Sequence, residues 1–294
     1  AVQTMLDPAD CGPACISLCQ DIQGQTYEYP EEFFKERIHS IRRPRPDDFQ
    51  IKEAAEKIKK SKNPIIISGG GVFYSNAMEE LSNFATKHNI PVTQTVMGYS
   101  TMKRDHSHYA GQIGGLGGKN TNDLAKETDL AIAVGTKLAD FTTGSWANFE
   151  NENFKLLSIN VSRFDANKHL AQAVVGDAKV SLIELSKALG DWKVGDEWNQ
   201  KSQRELKIWN EHIDKESAPT NQEIPSYIQV IGAIYRNSDP TDIAVTAAGG
   251  LVGEVVQVWR PKELNTHESE WGFSCMSYEI SGALGIKMAN PDKE

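Results

Sequence analysis

The sequence has no long apolar run and no excess of positive charge. A membrane-spanning helix needs roughly 18 or more apolar residues in succession, and no stretch approaches that length. The net charge of −9 at pH 7 would repel a phosphate backbone. We therefore expect neither a membrane nor a nucleic-acid partner. The first residues lack the basic and apolar regions of a signal peptide, so we expect a cytoplasmic protein.

Several motifs of catalysis and nucleotide binding are also missing. Without a Gly-x-Ser-x-Gly elbow, a serine hydrolase would lack its exposed nucleophile. Glycine-rich turns follow predicted strands at 69–71, 111–118 and Gly249–Gly250, but none has the spacing of a dinucleotide fingerprint or a P-loop. For the first two turns we favour tight strand-to-helix packing over a bound nucleotide or a subunit contact.

Only four cysteines occur, at positions 11, 15, 19 and 275. The four-residue spacing of the first three suggests a metal cluster, but Cys15–Cys19 has strand character and Cys275 is far away in the sequence. We interpret all four as buried, reduced structural thiols, because a disulfide is improbable in the cytosol.

The histidines offer two further candidate sites. His106 and His108 lie in a polar loop without an adjacent set of carboxylates, so we favour solvated side chains over metal ligands. His267 stands beside Glu268 and Glu270. A carboxylate neighbour could raise its pKa and suit it to proton transfer, although we favour a structural role.

The middle of the chain alternates strands with helices. Residues 64–68 form a continuous apolar run, typical of a buried parallel strand. A helix that begins after Asp47 or Asp48 places Ile51, Ala54, Ala55 and Ile58 on one face. Further strands are predicted at 91–95, 129–134 and 155–160, and further helices at 76–88, 121–127 and 177–189. This order predicts an α/β fold with a central Rossmann-like, doubly wound parallel sheet of about six strands.

The two ends of the sequence indicate parts of other domains. Residues 12–21 and 243–247 are each predicted to be a strand without its sheet. We divide the chain into a first fragment (1–30), a linker (31–46), a central domain (47–190), a connection (191–223) and the start of another α/β domain (224–294). We interpret the chain as an internal piece of a larger protein. Its unpaired strand edges must fray, pair with each other or pair with a neighbouring chain, and we expect a homo-oligomer.

The order of these segments resembles the thiamine-diphosphate-dependent enzymes of the acetolactate synthase type. Those enzymes have a pyrimidine-binding, a central and a diphosphate-binding domain, all α/β. The segment that resembles the end of the first domain is Gly12–Asp21. The central domain is matched by Pro64–Gly71, Asp129–Thr136 and Val175–Asp177. The opening of the third domain is matched by Ala247–Gly250 and Gly272–Ser277. The resemblance therefore implies partial pyrimidine-binding and diphosphate-binding domains on either side of the central one.

Within that superfamily, three segments are similar to the trihydroxycyclohexanedione hydrolases of inositol catabolism. They are Gln20–Gly24 with Tyr27–Pro30, Arg42–Pro46, and Trp271–Met276. The resemblance covers essentially the whole chain and implies a hydrolase that opens a cyclic 1,2-diketone ring to give 5-deoxy-glucuronate. The alternatives are an acetolactate synthase-like carboligase and a non-catalytic nucleotide-binding or scaffold module.

The resemblance also implies a cofactor site. Gly249 and Gly250 would let the backbone approach the diphosphate, and the Ser274 carbonyl would accept a hydrogen bond from the aminopyrimidine. Met276 would be the apolar wedge beneath the bent cofactor, or else a plain core residue. Family members usually have glycine where Ser277 stands.

Two family features have no counterpart in this sequence: the activating glutamate of the first domain and the Gly-Asp-Gly magnesium motif of the third. We therefore assign no catalytic residue and no metal ligand. Thiamine diphosphate and Mg²⁺ are expected in the full-length protein, and weak or no cofactor binding is expected for this chain.

Overall fold

The N-terminal segment is exposed over almost all of its length. The computed structural model describes residues 1–293; Glu294, the last residue of the predicted 224–294 segment, lies outside them. Two short helices, α1 (Val2–Met5) and α2 (Gln20–Gln23), and a 3₁₀ turn (Glu31–Phe34) are its regular elements. The strand predicted at 12–21 is wrong, since Ile16 and Leu18 are each 68% exposed and no strand forms there. A strand needs a neighbour to satisfy its backbone groups.

Six parallel strands form the central sheet, in the order β3-β2-β1-β4-β5-β6. They are β1 (Pro64–Ser68), β2 (Val92–Gln94), β3 (Tyr109–Gln112), β4 (Leu130–Val134), β5 (Lys155–Asn160) and β6 (Gln172–Val175). Every residue of β1 and β4, the two central strands, is buried. Such burial on both faces explains their continuous apolar sequences. The predicted α/β class and parallel sheet are confirmed.

Helices flank this sheet. They are α3 (Asp48–Lys59), α4 (Gly70–Tyr74), α5 (Met78–His88), α6 (Lys119–Glu127), α7 (Asp140–Thr143), α8 (Arg163–Ala166) and α9 (Ala178–Leu189), with 3₁₀ turns at Val96–Gly98 and Lys168–Leu170. Asp47 caps α3 by accepting from the Phe49 N–H, and Asp177 caps α9 by accepting from the Val180 N–H. The predicted apolar face of α3 is buried, and α3 and α5 both pack on α9.

The connection predicted at 191–223 contains a long helix, α10 (Asp196–Glu216). It packs on α6 and β3. The Trp198 side chain, only 6% exposed, joins the core of the central sheet, and its indole N–H donates to the Pro64 carbonyl at 2.8 Å. This helix therefore contributes directly to the core.

The C-terminal segment contains α11 (Tyr227–Arg236), β7 (Ala244–Thr246), α12 (Leu251–Val258), β8 (His267–Ser269) and α13 (Tyr278–Ala289). β7 and β8 pair in parallel as a separate two-stranded sheet. The apolar face of α12, with Val252 and Val256, packs against Val96 and Tyr99 in the loop after β2. The segment is thereby held at the carboxyl end of the central sheet. Among residues 1–293, no helix combines the length and apolarity needed to cross a membrane.

Replacing Trp198 tests whether α10 is part of the central core. Trp198→Ala should lower the free energy of unfolding by about 3–5 kcal/mol, because it leaves a cavity in the core. Trp198→Phe is the control. It keeps most of the packing, loses the bond to Pro64, and should cost about 1–2 kcal/mol. Urea denaturation measures both values; a loss below about 1 kcal/mol for the alanine variant would contradict the assignment.

Candidate functional site

The strand order of the central sheet reverses between β1 and β4. In open α/β sheets, ligands bind at such a switch point, outside the carboxyl ends of the strands. Here the chain itself fills the crevice. A Cβ on Gly69 would lie 2.4 Å from the Gly135 carbonyl oxygen, and one on Gly71 would lie 2.6 Å from the Gly135 Cα. The N–H groups of Gly69 and Gly71 donate to Val134 and Gly135.

The glycine turn at 111–118 is also packed tightly against neighbouring backbone. The Gly114 N–H donates to Asn122 Oδ1 at 3.0 Å, and the Gly115 N–H donates to the Phe141 carbonyl at 2.7 Å. A Cβ on Gly114 would lie 2.0 Å from the same carbonyl oxygen. These contacts favour tight packing over a phosphate cradle at both turns.

The residues assigned to the cofactor lie on two loops at one edge of the small sheet. Because β7 and β8 are parallel, their carboxyl ends lie at the same edge. The turn with Gly249 and Gly250 follows β7, and residues 270–277, which we call the cofactor loop, follow β8. Glu279 Oε1, in the first turn of α13, accepts from the Ala247 N–H at 3.1 Å and so links the end of β7 to the helix after the cofactor loop.

The Gly249–Gly250 turn leaves its backbone open. Gly249 has φ +92°, a left-handed conformation in which glycine is unstrained. No heavy atom lies within 4 Å of the position that a Cβ would take at Gly249 or Gly250. Another molecule can therefore approach this backbone closely.

One carboxylate organises the cofactor loop. Glu270 Oε1 accepts from the Phe273 N–H at 2.8 Å, and Oε2 accepts from the Cys275 N–H at 2.6 Å. These bonds, the one from Cys275 first, hold the pKa of Glu270 below its usual value. Ser274 and Ser277 are both left-handed, with φ +55° and +75°. Glycine, usual in the family at the second position, would adopt that conformation without strain.

Met276 lies on the surface, 85% exposed, next to Phe273 at 90%. The alternative that it is a plain core residue is wrong for this chain, and its role as a wedge stays a prediction. The structure thus brings the glycine turn and the cofactor loop to one edge, with Met276 free to contact another molecule.

The cysteines are free, but the prediction that they are buried is wrong, because all four side chains are exposed. Three of them belong to the N-terminal segment, which has no sheet to cover it. Partial desolvation and the charge of Glu270 raise the pKa of Cys275. Since the thiolate is the reactive form, this cysteine is not an activated nucleophile.

His267 is buried in β8. The expectation that a neighbouring carboxylate could raise its pKa is wrong. Burial lowers its pKa to about 4. Its Nε2 lies 3.4 Å from Thr246 Oγ1, and its ring packs edge-on against Tyr99 at 5.1 Å. Successive strand side chains point to opposite faces, so Glu268 is directed away from the imidazole. His267 therefore has a structural, neutral role.

His108 also differs from the prediction of solvated histidines. It is 6% exposed, its Nε2 lies 3.0 Å from Asn89 Oδ1, and burial lowers its pKa to about 4. His106 is half-buried. Residues 1–293 contain no group of three or more potential His, Cys, Asp or Glu metal ligands.

Two structural features were absent from the sequence analysis. One is the bonding of Glu270 to its own loop, for which a carboxylate two residues before Gly272 is the only sequence signal. The other is a cleft of about 310 Å³ between the central sheet and the C-terminal segment. Tyr74, Met97, His267 and Glu268 are among its lining residues, and burial raises the pKa of Glu268.

Comparison with known proteins gives a consistent result. Residues 51–185 match the family model "Thiamine pyrophosphate enzyme, central domain". The chain is 39% identical, over 320 aligned residues, to a 3D-(3,5/4)-trihydroxycyclohexane-1,2-dione hydrolase of Clostridium tetani, covering 100% of this chain and 49% of that protein. Enzymes of the same name from Bacillus licheniformis and Geobacillus thermodenitrificans are each 38% identical, again over 100% of this chain and covering 50% and 49% of those proteins. The chain spans about half the length of these curated relatives.

Acid should destabilise the fold through its buried neutral histidines. The unfolded chain takes up a proton on each histidine near pH 6.5, whereas His108 and His267 resist protonation until about pH 4. Stability is therefore lost as the pH falls through this window, by up to ~3 kcal/mol per histidine. Urea denaturation at several pH values should show a shallower slope for His267→Gln, with His39→Gln at an exposed position as the control. A slope as steep as that of the unsubstituted chain would refute this.

Proposed function

We propose that this chain, which resembles the thiamine pyrophosphate enzymes in its central domain, is part of a thiamine-diphosphate-dependent hydrolase that opens a cyclic 1,2-diketone ring in myo-inositol catabolism. The observation that carries the proposal is the 36–39% identity, over the whole chain, to relatives named trihydroxycyclohexanedione hydrolase. The substrate is then a small cyclic diketone, and water adds at the cleaved carbon–carbon bond to give 5-deoxy-glucuronate.

The chain fits one part of the cofactor. The open turn at Gly249 and Gly250 leaves room for the diphosphate, and the exposed cofactor loop presents Ser274 and Met276. The described residues do not fit the metal, since they contain no cluster of ligands. We propose that thiamine diphosphate and Mg²⁺ are held by the full-length protein, and that this chain alone binds them weakly.

When bound, thiamine diphosphate supplies a carbanion that adds to a carbonyl and then serves as an electron sink. The residues of this chain would bind and orient the cofactor. The Ser274 carbonyl would accept a hydrogen bond from the aminopyrimidine, Met276 would give the cofactor apolar support, and the glycine turn would admit the diphosphate. The central domain positions these loops through α12.

Two further properties belong to the proposal. Ile280, Leu284 and Met288 form an exposed apolar stripe on α13, at a spacing of four residues. Such a stripe favours a homo-oligomer. The four exposed free thiols favour a reducing compartment, which supports our proposal of a cytoplasmic protein.

The test is turnover by the full-length protein. With thiamine diphosphate and Mg²⁺ it should convert trihydroxycyclohexane-1,2-dione to 5-deoxy-glucuronate, detected by mass spectrometry. Thiamine diphosphate and Mg²⁺ are each omitted in turn as a control.

The 294-residue chain should give no turnover and no micromolar binding in calorimetry, because its loops cannot offset desolvation of the anionic diphosphate without the metal. Consumption of pyruvate with the diketone ignored would favour a carboligase. Tight binding of ADP, FAD or NAD without turnover would favour the nucleotide-binding module.

A further inference from the structure

The peptide group between Ser274 and Cys275 is held from one side by a carboxylate. Glu270 Oε2 accepts its N–H at 2.6 Å. This peptide is trans, and a trans peptide group is planar with its N–H and C=O pointing in opposite directions. Fixing the N–H of Cys275 toward Glu270 therefore fixes the C=O of Ser274 away from Glu270.

We propose that Glu270 is a positioning residue that aims and polarises the Ser274 carbonyl, the acceptor for the aminopyrimidine of the cofactor. This inference rests on the proposed function, because the acceptor role of Ser274 belongs to it. Glu270 itself need not touch the cofactor. It acts through the one rigid peptide unit that separates its carboxylate from the carbonyl oxygen.

The charge of Glu270 matters as well as its position. A hydrogen bond to an ionised acceptor is shorter and about twice as strong as a neutral one. Successive hydrogen bonds polarise one another, so an N–H that donates to a carboxylate makes the carbonyl of the same peptide a better acceptor. The backbone bonds that depress the pKa of Glu270 keep it ionised at neutral pH.

The loop needs this support because its backbone is strained. Ser274 has φ +55°, and a left-handed conformation costs a non-glycine residue roughly 1–2 kcal/mol. Glu270 binds the N–H groups on both sides of Ser274, those of Phe273 and Cys275. The same carboxylate that aims the carbonyl therefore also holds the strained residue in place.

The first test uses this chain without a ligand. Glu270→Gln can accept only one of the two N–H groups and carries no charge, so hydrogen exchange at the Phe273 and Cys275 amides should become about 10-fold faster. In the unsubstituted chain, the same protection should fall as the pH drops below about 4.5, through the lowered pKa of Glu270. Glu216→Gln, at the exposed end of α10, is the control. Unchanged exchange in Glu270→Gln would overturn the inference.

The second test uses the full-length protein with Mg²⁺ and two probes, thiamine diphosphate and inorganic pyrophosphate. Glu270→Gln should weaken binding of thiamine diphosphate about 10-fold and leave pyrophosphate binding unchanged, because pyrophosphate has no aminopyrimidine to meet the Ser274 carbonyl. Glu216→Gln should change neither value. Equal weakening of both probes would indicate a merely structural role and overturn the inference.

The outcomes also separate this inference from the proposed function. If the unsubstituted full-length protein binds thiamine diphosphate but Glu270→Gln binds it equally well, the inference alone fails. If the unsubstituted protein binds no thiamine diphosphate, the proposed function fails and the inference with it.

Discussion

The buried hydrogen bond from Tyr99 to the Trp259 carbonyl, 2.6 Å long, ties the C-terminal segment to the central sheet. Tyr99 is 4% exposed, and burial raises the pKa of its hydroxyl well above its usual value. Losing the partner would leave a buried donor unsatisfied, which costs about 1–3 kcal/mol. Trp259 directly follows α12, and β8 and the cofactor loop come after it in the chain. The position of the proposed site relative to the central sheet therefore depends on this contact.

The five-residue apolar runs of β1 and β4 made the centre of the sheet predictable, whereas the shorter edge strands could not be predicted. β1 and β4 are buried on both faces, so their sequences are apolar throughout. β3 (Tyr109–Gln112) and β6 (Gln172–Val175) are four-residue edge strands with a glutamine at one end, and neither was predicted. At the N-terminus the alternation around Ile16 and Leu18 is typical of a strand, but the described residues offer it no partner. A strand forms only beside a neighbouring strand that satisfies its backbone hydrogen bonds, and the sequence of one segment does not show whether that neighbour exists.

The site was predictable only as far as the family resemblance reached. It assigned Gly249, Gly250, Ser274 and Met276, and the structure carries them on two loops at one edge of the small sheet. The roles of His267 and Glu270 depend on where each side chain points. Neighbours in sequence suggested that a carboxylate raises the pKa of His267, yet strand geometry separates them and burial lowers that pKa. Glu270 instead bonds to its own loop.

We propose that residues 270–277 form the pyrimidine-binding loop of a thiamine-diphosphate enzyme. A crystal structure of the full-length protein with thiamine diphosphate and Mg²⁺ tests it most directly. The Ser274 carbonyl oxygen should lie at about 3 Å from the amino nitrogen of the pyrimidine. The Met276 side chain should lie beneath the cofactor, and the backbone of Gly249 and Gly250 should lie beside the diphosphate. A cofactor bound elsewhere, with this loop in solvent, would contradict it.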